Sequence, residues 1–469
     1  MKGRSSAGGR STRQGATRLV RTAGLLVLAA LAGGCSDSLP SLPKITDLNP
    51  FKEKQTPLPG KRIPIIAAQE KLPGELASAD HPIVLPQESA NDTWAQPGGT
   101  AENAPGHLAL AAALRQVWSS DAGTGSGKVG RVTASPIVYG GRVYTLDAAG
   151  HITAFSATAG SVAWRVSLIP EREQGGGGLL SLGAGTPGGG FGGGIAADNG
   201  RLYAASGFGN VVALDPANGK KLWERNLGLP VRAAPTAVGD RVFVITMEGR
   251  FICLSGIDGA ELWAVRGLPQ QASLVMNVSP AVSGDTVVVP YPSGDLVALK
   301  VADGTAKWSE NLSRTRSTTQ LTSLSDAARP AIDNGVVYAV SHAGRMVATQ
   351  LTSGERLWSL NVASTQAPWV AGDSVFVVDT AGQLVAVARQ TGQIQWTTQL
   401  PGSSNWSGPV LAGGKLWLAS AKGALVGVDA LTGKVASQQD LGDPVFISPV
   451  VADRRMYALT DKARLIALN

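Results

Sequence analysis

Eight short apolar stretches, each with a small residue in third place, recur between Ile152 and Leu468. The small residues are Ala154, Ala213, Cys253, Ala298, Ala348, Ala386, Gly427 and Ala467. Six positions after seven of them stands a glycine: Gly160, Gly219, Gly259, Gly304, Gly354, Gly392 and Gly433. Ten positions after come Trp164, Trp223, Trp263, Trp308, Trp358 and Trp396, with Ser437 in the seventh copy. Eighteen positions before come Pro136, Pro235, Pro280, Pro330, Pro368, Pro409 and Pro449, with Ile195 in the second copy. Columns in fixed register over so many copies make each copy one structural unit, stacked on its neighbours to bury a shared core.

Each column has a local reading. Arg142-Val143-Tyr144-Thr145-Leu146 and its counterparts are apolar and β-branched runs between turn signals, so they are expected strands. Asn218-Gly219 and Asp258-Gly259 supply positive φ between antiparallel strands. Proline suits the first residue of a strand, where no ladder donor is needed. A small residue in mid-strand admits a close neighbour, and tryptophan brings a large packing area with an N–H to satisfy. A unit of about 40 residues therefore holds four strands, A to D, and such units repeated radially are β-propeller blades. The eighth copy lacks its Trp strand, and Leu114-Arg115-Gln116-Val117-Trp118 is the available supplement. The expected fold is all-β: an eight-bladed propeller over residues 107–469, its ring closed by pairing of the N- and C-terminal segments through Trp118. An unpaired sheet edge would otherwise invite aggregation.

The N-terminal quarter reads differently. Residues 1–34 have a basic start, an apolar run from Thr22 to Ala32 and then small residues, the layout of a secretory signal. Eleven apolar residues fall short of the ~20 that span a bilayer. Leu31-Ala32-Gly33-Gly34-Cys35 resembles a lipobox, which implies cleavage and lipidation of Cys35, and Ser36 at the next position favours the outer membrane. Residues 35–106 are expected to be a Pro-rich tether, since 36–106 contain 11 of the 27 prolines and such stretches favour extended conformations. The alternative is that part of it, around Ile63–Ala67 or Pro82–Pro86, lies against the domain, and Trp94 is a plausible anchor. Deletion as far as about residue 106 is therefore expected to leave the ring intact.

Charge and residue counts narrow the chemistry. The formal charge of +7 comes from the leader: residues 1–34 hold six Lys and Arg and no acid, so 35 bases face 34 acids in the remainder. That near-neutral body gives no reason to expect nucleic acid. Two cysteines and four dispersed histidines form no sequence-local metal motif. No metal and no cofactor are expected. Cys253 falls in the small-residue column and reads as core. Asp147 and Asp379 share one repeat column, Asp215 and Asp429 another, so they read as architecture before they read as bases. Glu171–Gly194 is half glycine but lacks the Lys-Ser/Thr ending of a phosphate-binding loop.

The phrase Ala213-Leu214-Asp215-Pro216-Ala217-Asn218-Gly219-Lys220-Lys221-Leu222-Trp223 resembles the repeat of PQQ-like (quinoprotein-type) propellers. With an export signal, a lipobox and eight compact blades, the chain is similar to the BamB family of outer-membrane assembly lipoproteins over about residues 115–469. That resemblance implies a non-catalytic scaffold of the β-barrel assembly (BAM) complex, lipid-anchored on the periplasmic side of the outer membrane. The implied partners are the periplasmic domains of BamA and unfolded outer-membrane proteins. Leu324-Ser325-Asp326 before Pro330 resembles the family's Leu-Ser-Asp-x-Asp loop, with Ala328 in place of the second acid. Ser273-Leu274-Val275 resembles the loop that meets BamA, with Val275 where that loop often has Arg. The alternatives are a quinone-dependent dehydrogenase, which would carry a vicinal Cys pair that is missing here, and another periplasmic interaction propeller.

Connector lengths point to the same surface. From each Trp column to the next Pro column (Ile195 in the second copy) the separations are 31, 12, 17, 22, 10, 13 and 12 residues. The three longest are the D-to-A connectors after blades 1, 3 and 4, which antiparallel strands return to one face, and binding concentrates on loops carried by rigid scaffolds. The expected partner-binding residues are Leu274 and Val275 in one loop and Leu324, Asp326 and Arg329 in the next. Leu274 is assigned an apolar anchor role and Asp326 a charge-assisted hydrogen bond to the partner or, alternatively, a loop-capping role. Arg329, with Arg314 and Arg316, is expected to steer an acidic partner.

Overall fold

A computed structural model describes residues 82–128, 130–170, 192–267, 278–312, 327–403 and 405–469, all within one compact unit. It contains eight antiparallel four-stranded sheets. Seven are built from consecutive strands: blades 1 to 7 occupy residues 137–167, 193–226, 236–266, 281–311, 331–360, 369–399 and 406–440. The eighth takes strands A to C from 450–468 and its strand D from Gln116–Asp121. Trp118 stands opposite Ala467 in that sheet. Arg115 and Asn469 exchange two backbone hydrogen bonds of 2.9 Å, so the segment before blade 1 pairs with the C-terminal strand and closes the ring. Strands D are exposed or half-buried along their length in most blades, whereas strands A are almost wholly buried. Strand A is therefore the inner edge and strand D the rim.

The columns turn out to be one packing device. In most blades an aromatic residue on strand B stands opposite the small residue of strand C, which stands opposite the Trp of strand D. Tyr144–Ala154–Trp164 and Tyr203–Ala213–Trp223 are two such rows. The two rings meet over the small side chain with centroids 5.7–6.1 Å apart in six blades. Cys253 takes the middle place between Phe243 and Trp263, and burial pushes its thiol up to about 12.

Each rim tryptophan also ties its blade to the next. Its Nε1–H donates across the gap to a carbonyl three residues past the next blade's small residue. The acceptors include Ala157 for Trp118, Pro216 for Trp164 and Ala430 for Trp396, and all seven distances lie between 2.7 and 3.3 Å. The conserved-register glycine lies under that indole. All seven have φ of +70 to +75°, and a Cβ on any of them would approach the preceding blade's Trp to 2.6–2.9 Å. Positive φ is thus half of the glycine's job, and leaving room for the neighbour's indole is the other half.

The tether is shorter than the sequence suggests. Residues 82–106, assigned above to a tether ending at 106, pack inside the ring. Trp94 is 2% exposed and pairs with Val138 on strand A of blade 1. Its indole stacks on Trp369 of blade 6 at 6.2 Å. Proline abundance misled here: Pro97 sits in the tight Gln96–Gly99 turn, and the segment takes many of its hydrogen bonds from the inner strands of the blades.

Candidate functional site

Two ends of the ring differ in what they carry. The residue after strand D repeatedly donates its N–H to the B–C hairpin glycine of the same blade. Leu168 to Gly150, Leu227 to Gly209, Leu312 to Gly294 and Leu441 to Gly423 are examples, at 2.8–2.9 Å. The D-to-A connectors therefore start on the B–C hairpin side, and the A–B and C–D turns occupy the other end. Segments 171–191, 268–277 and 313–326, which hold most of the three long connectors, lie outside the described residues. So do Cys35, Leu274, Val275, Leu324 and Asp326.

The B–C hairpins are held by side chains at their first turn. Asp147 Oδ1 accepts the N–H groups of Ala149 and His151, and Asp379 Oδ1 those of Ala381 and Gln383. Ser420 Oγ does the same for Lys422 and Ala424. Asp215 and Asp429 cap C–D turns in a similar way. These four aspartates are architectural. Burial pushes the Asp379 carboxyl up, against the hairpin N–H bonds that favour its charged form.

Beside Asp379 lies a pocket of about 310 Å³ on the connector face, spanning blades 5 to 8. Its walls include His342, Gln366, Trp406 and Phe446, the last 52% exposed. None of these stands in a repeat column, so nothing periodic marked them. Next to it the blade 7–8 connector is fastened by Asp443, which accepts from Lys462 at 2.8 Å and pairs with Arg464 at 2.9 Å. The Lys462 hydrogen bond, helped by the Arg464 charge, holds this carboxyl below its ordinary value. A depressed folded pKa gives stability above the unfolded value, about 3.9, that is lost as pH falls through the folded one. Asp443→Asn is expected to lower the urea midpoint at pH 7, with the gap to the parent narrowing as pH falls below about 3.9.

Arg329 differs from its expected role. Its Nε and Nη1 are out of reach of water and have no hydrogen-bond partner among the described residues. Burial pushes the guanidinium down to about 10. A charge so placed suits a short contact with an acidic group and not the long-range steering expected of a solvated loop.

Among the described residues no three His, Cys, Asp or Glu side chains converge. Cys253 sits within a sheet, and the ring's interior is occupied by the Trp94–Trp369 stack.

Residues 106–179, 148–398 and 399–469 match the family described as outer membrane protein assembly factor BamB. The chain belongs to the BamB family. A BamB of Yersinia pestis is 25% identical over 343 residues, 73% of this chain and 85% of that protein. An uncharacterised Rickettsia prowazekii protein is 25% identical over 274 residues, 58% of this chain, which spans 63% of its length. The crystal structure of BamB from Moraxella catarrhalis superposes with a TM-score of 0.63 at 19% identity, covering 76% of this chain and all of that one. A europium-containing methanol dehydrogenase gives 0.62 at 15% identity, over 80% of this chain and 98% of its own. At such identities both likenesses speak for the fold alone.

Proposed function

We propose that this BamB-family propeller is a non-catalytic scaffold of the β-barrel assembly machinery and docks the periplasmic domains of BamA through its connector face. The observation that carries the reading is the asymmetry of the ring. Its longest connectors start on the B–C side, where the Phe446 pocket also opens, while the A–B side is lined by the chain's own N-terminal segment. Family membership supports the assembly, and the connector lengths support the face. Lipid on Cys35 would hold the protein at the periplasmic side of the outer membrane, and unfolded barrel proteins are the further partners this placement allows.

Leu274 is the proposed apolar anchor, contributing ~1.5–3 kcal/mol if fully buried on contact. Val275, Leu324, Asp326 and Arg329 flank it in the two adjoining loops, with Asp326 accepting a charge-assisted hydrogen bond. Affinity capture of BamA from solubilised membranes tests this. Leu274→Arg combined with Asp326→Arg is expected to abolish capture while thermal unfolding stays within a few degrees of the parent. Undiminished capture by a folded double variant would move the interface off these loops.

A further inference from the structure

We propose that the inner rim of the ring is a peptide-binding site whose ligand is residues 84–113 of the same chain, and that this strap, clasped at His107, holds the blades together and seals the A–B end. An inner strand edge exposes backbone groups that cost free energy if buried without partners. Eight such edges face the axis here, and one repeat position, two residues after the Pro column, meets the strap in seven of them.

The chain takes the blades in order. Val84 accepts the N–H of Asp373 at the A–B turn of blade 6. Asn91 reaches blade 8: its carbonyl accepts from Asp453, and its Nδ2 donates to Val451 at 2.7 Å. Trp94 exchanges two backbone bonds with Val138 in blade 1, and the Ala95 carbonyl accepts from Ala197 in blade 2. The Gln96 side chain spans two blades, its Nε2 donating to Ala197 and Ala237 while its Oε1 accepts the Ala237 N–H. Carbonyls of Ala101 and Glu102 then accept from Val282 in blade 4 and Ile332 in blade 5. Gly106 accepts the Trp369 indole N–H in blade 6, and Leu108 bonds Leu411 and Gly413 in blade 7. The path makes more than one full circuit.

Because it overlaps itself, the strap has a clasp. Ser89 and Leu108 pair in parallel, with Ser89 N–H donating to His107 and Ala109 N–H to Ser89. His107 Nδ1 bonds the Pro86 carbonyl at 2.8 Å, and its Nε2 accepts the Gly414 N–H at 3.0 Å. One imidazole therefore joins the first pass, the second pass and the turn of blade 7. Between blades 3 and 4 the strap turns at Pro97-Gly98-Gly99, where a Cβ on Gly98 would lie 2.2 Å from the Asn103 side chain. Gly99, with φ of +91°, is the position of that turn that calls for glycine.

Amide hydrogen exchange on the full chain reads the strap bond by bond, because exchange follows local opening. In the parent, the N–H groups of Val138, Ala197, Val282 and Ile332 are expected to exchange as slowly as amides inside strands B and C. Trp94→Ala with Gln96→Ala and His107→Ala should speed all four at least ~100-fold. A synthetic peptide of residues 82–113 should restore their protection in that variant, and a scrambled peptide should not. Gln96→Ala alone keeps the test decisive if the triple variant unfolds: Ala237 loses protection while Ala197, bonded to the Ala95 carbonyl, keeps it. Unprotected rim amides in the parent, or rim amides indifferent to both variants, would overturn the proposal.

Discussion

Replacing Trp396 by alanine is expected to lower the unfolding free energy by ~3–5 kcal/mol, at the upper end for a single side chain. Trp396 is 1% exposed, the most buried of the rim tryptophans. Its loss removes three things together: ring contact with Phe376 at 6.0 Å, the bond to Ala430 at 3.1 Å, and the cover over Gly433. The Ala430 carbonyl would be left buried beside a cavity, and both effects are costly. Urea titration followed by far-UV circular dichroism measures the loss as a lower midpoint at unchanged slope. A shift equivalent to less than ~1 kcal/mol would mean that the tie between blades 6 and 7 does not depend on this column. Trp223, half-buried in the same column, should cost less.

How much of this was legible depends on what makes the contact. The blade columns are side-chain devices repeated at fixed intervals, so their spacing alone gave the eight blades and the closure through Trp118. Their partners were less visible. The strand B positions share the rows but vary between Tyr, Phe, Val and Trp, which hid the column. The strap was almost silent because backbone groups and the amides of Asn91 and Gln96 make its bonds. Such bonds leave no hydrophobic period, and Trp94 was the single aromatic signal in that stretch. Connector lengths marked the candidate face, because a long return between rigid strands shows in the residue count. The Phe446 pocket did not show, since it forms only where connectors from several blades meet. Arg329 was misread for a related reason: sequence shows its charge but not the burial of its guanidinium.

The one exception in the Trp column follows from the same geometry and carries the second prediction. A rim tryptophan needs a C–D turn in the next blade, with a glycine to lie on and a carbonyl to bond. Blade 8 has no such turn, because its strand D comes from Gln116–Asp121 and is not joined to strand C. The blade 7 position accordingly holds Ser437, and the bulk moves inward: Trp417 on strand B faces Gly427 and bonds Ala412 within its own blade. Gly427 is already crowded, since a Cβ there would meet Ser437 Oγ at 2.5 Å and Trp417 at 3.0 Å. Matching the column by Ser437→Trp is therefore expected to destabilise the ring by ~1–3 kcal/mol, the usual cost of overpacking. Repeat consensus alone would anticipate a gain, since substitutions toward consensus commonly stabilise. Thermal unfolding of Ser437→Trp beside the parent separates the two. A raised midpoint would show that blade 8 offers the indole a seat despite its split strands, and that the missing turn is not what excludes tryptophan from blade 7.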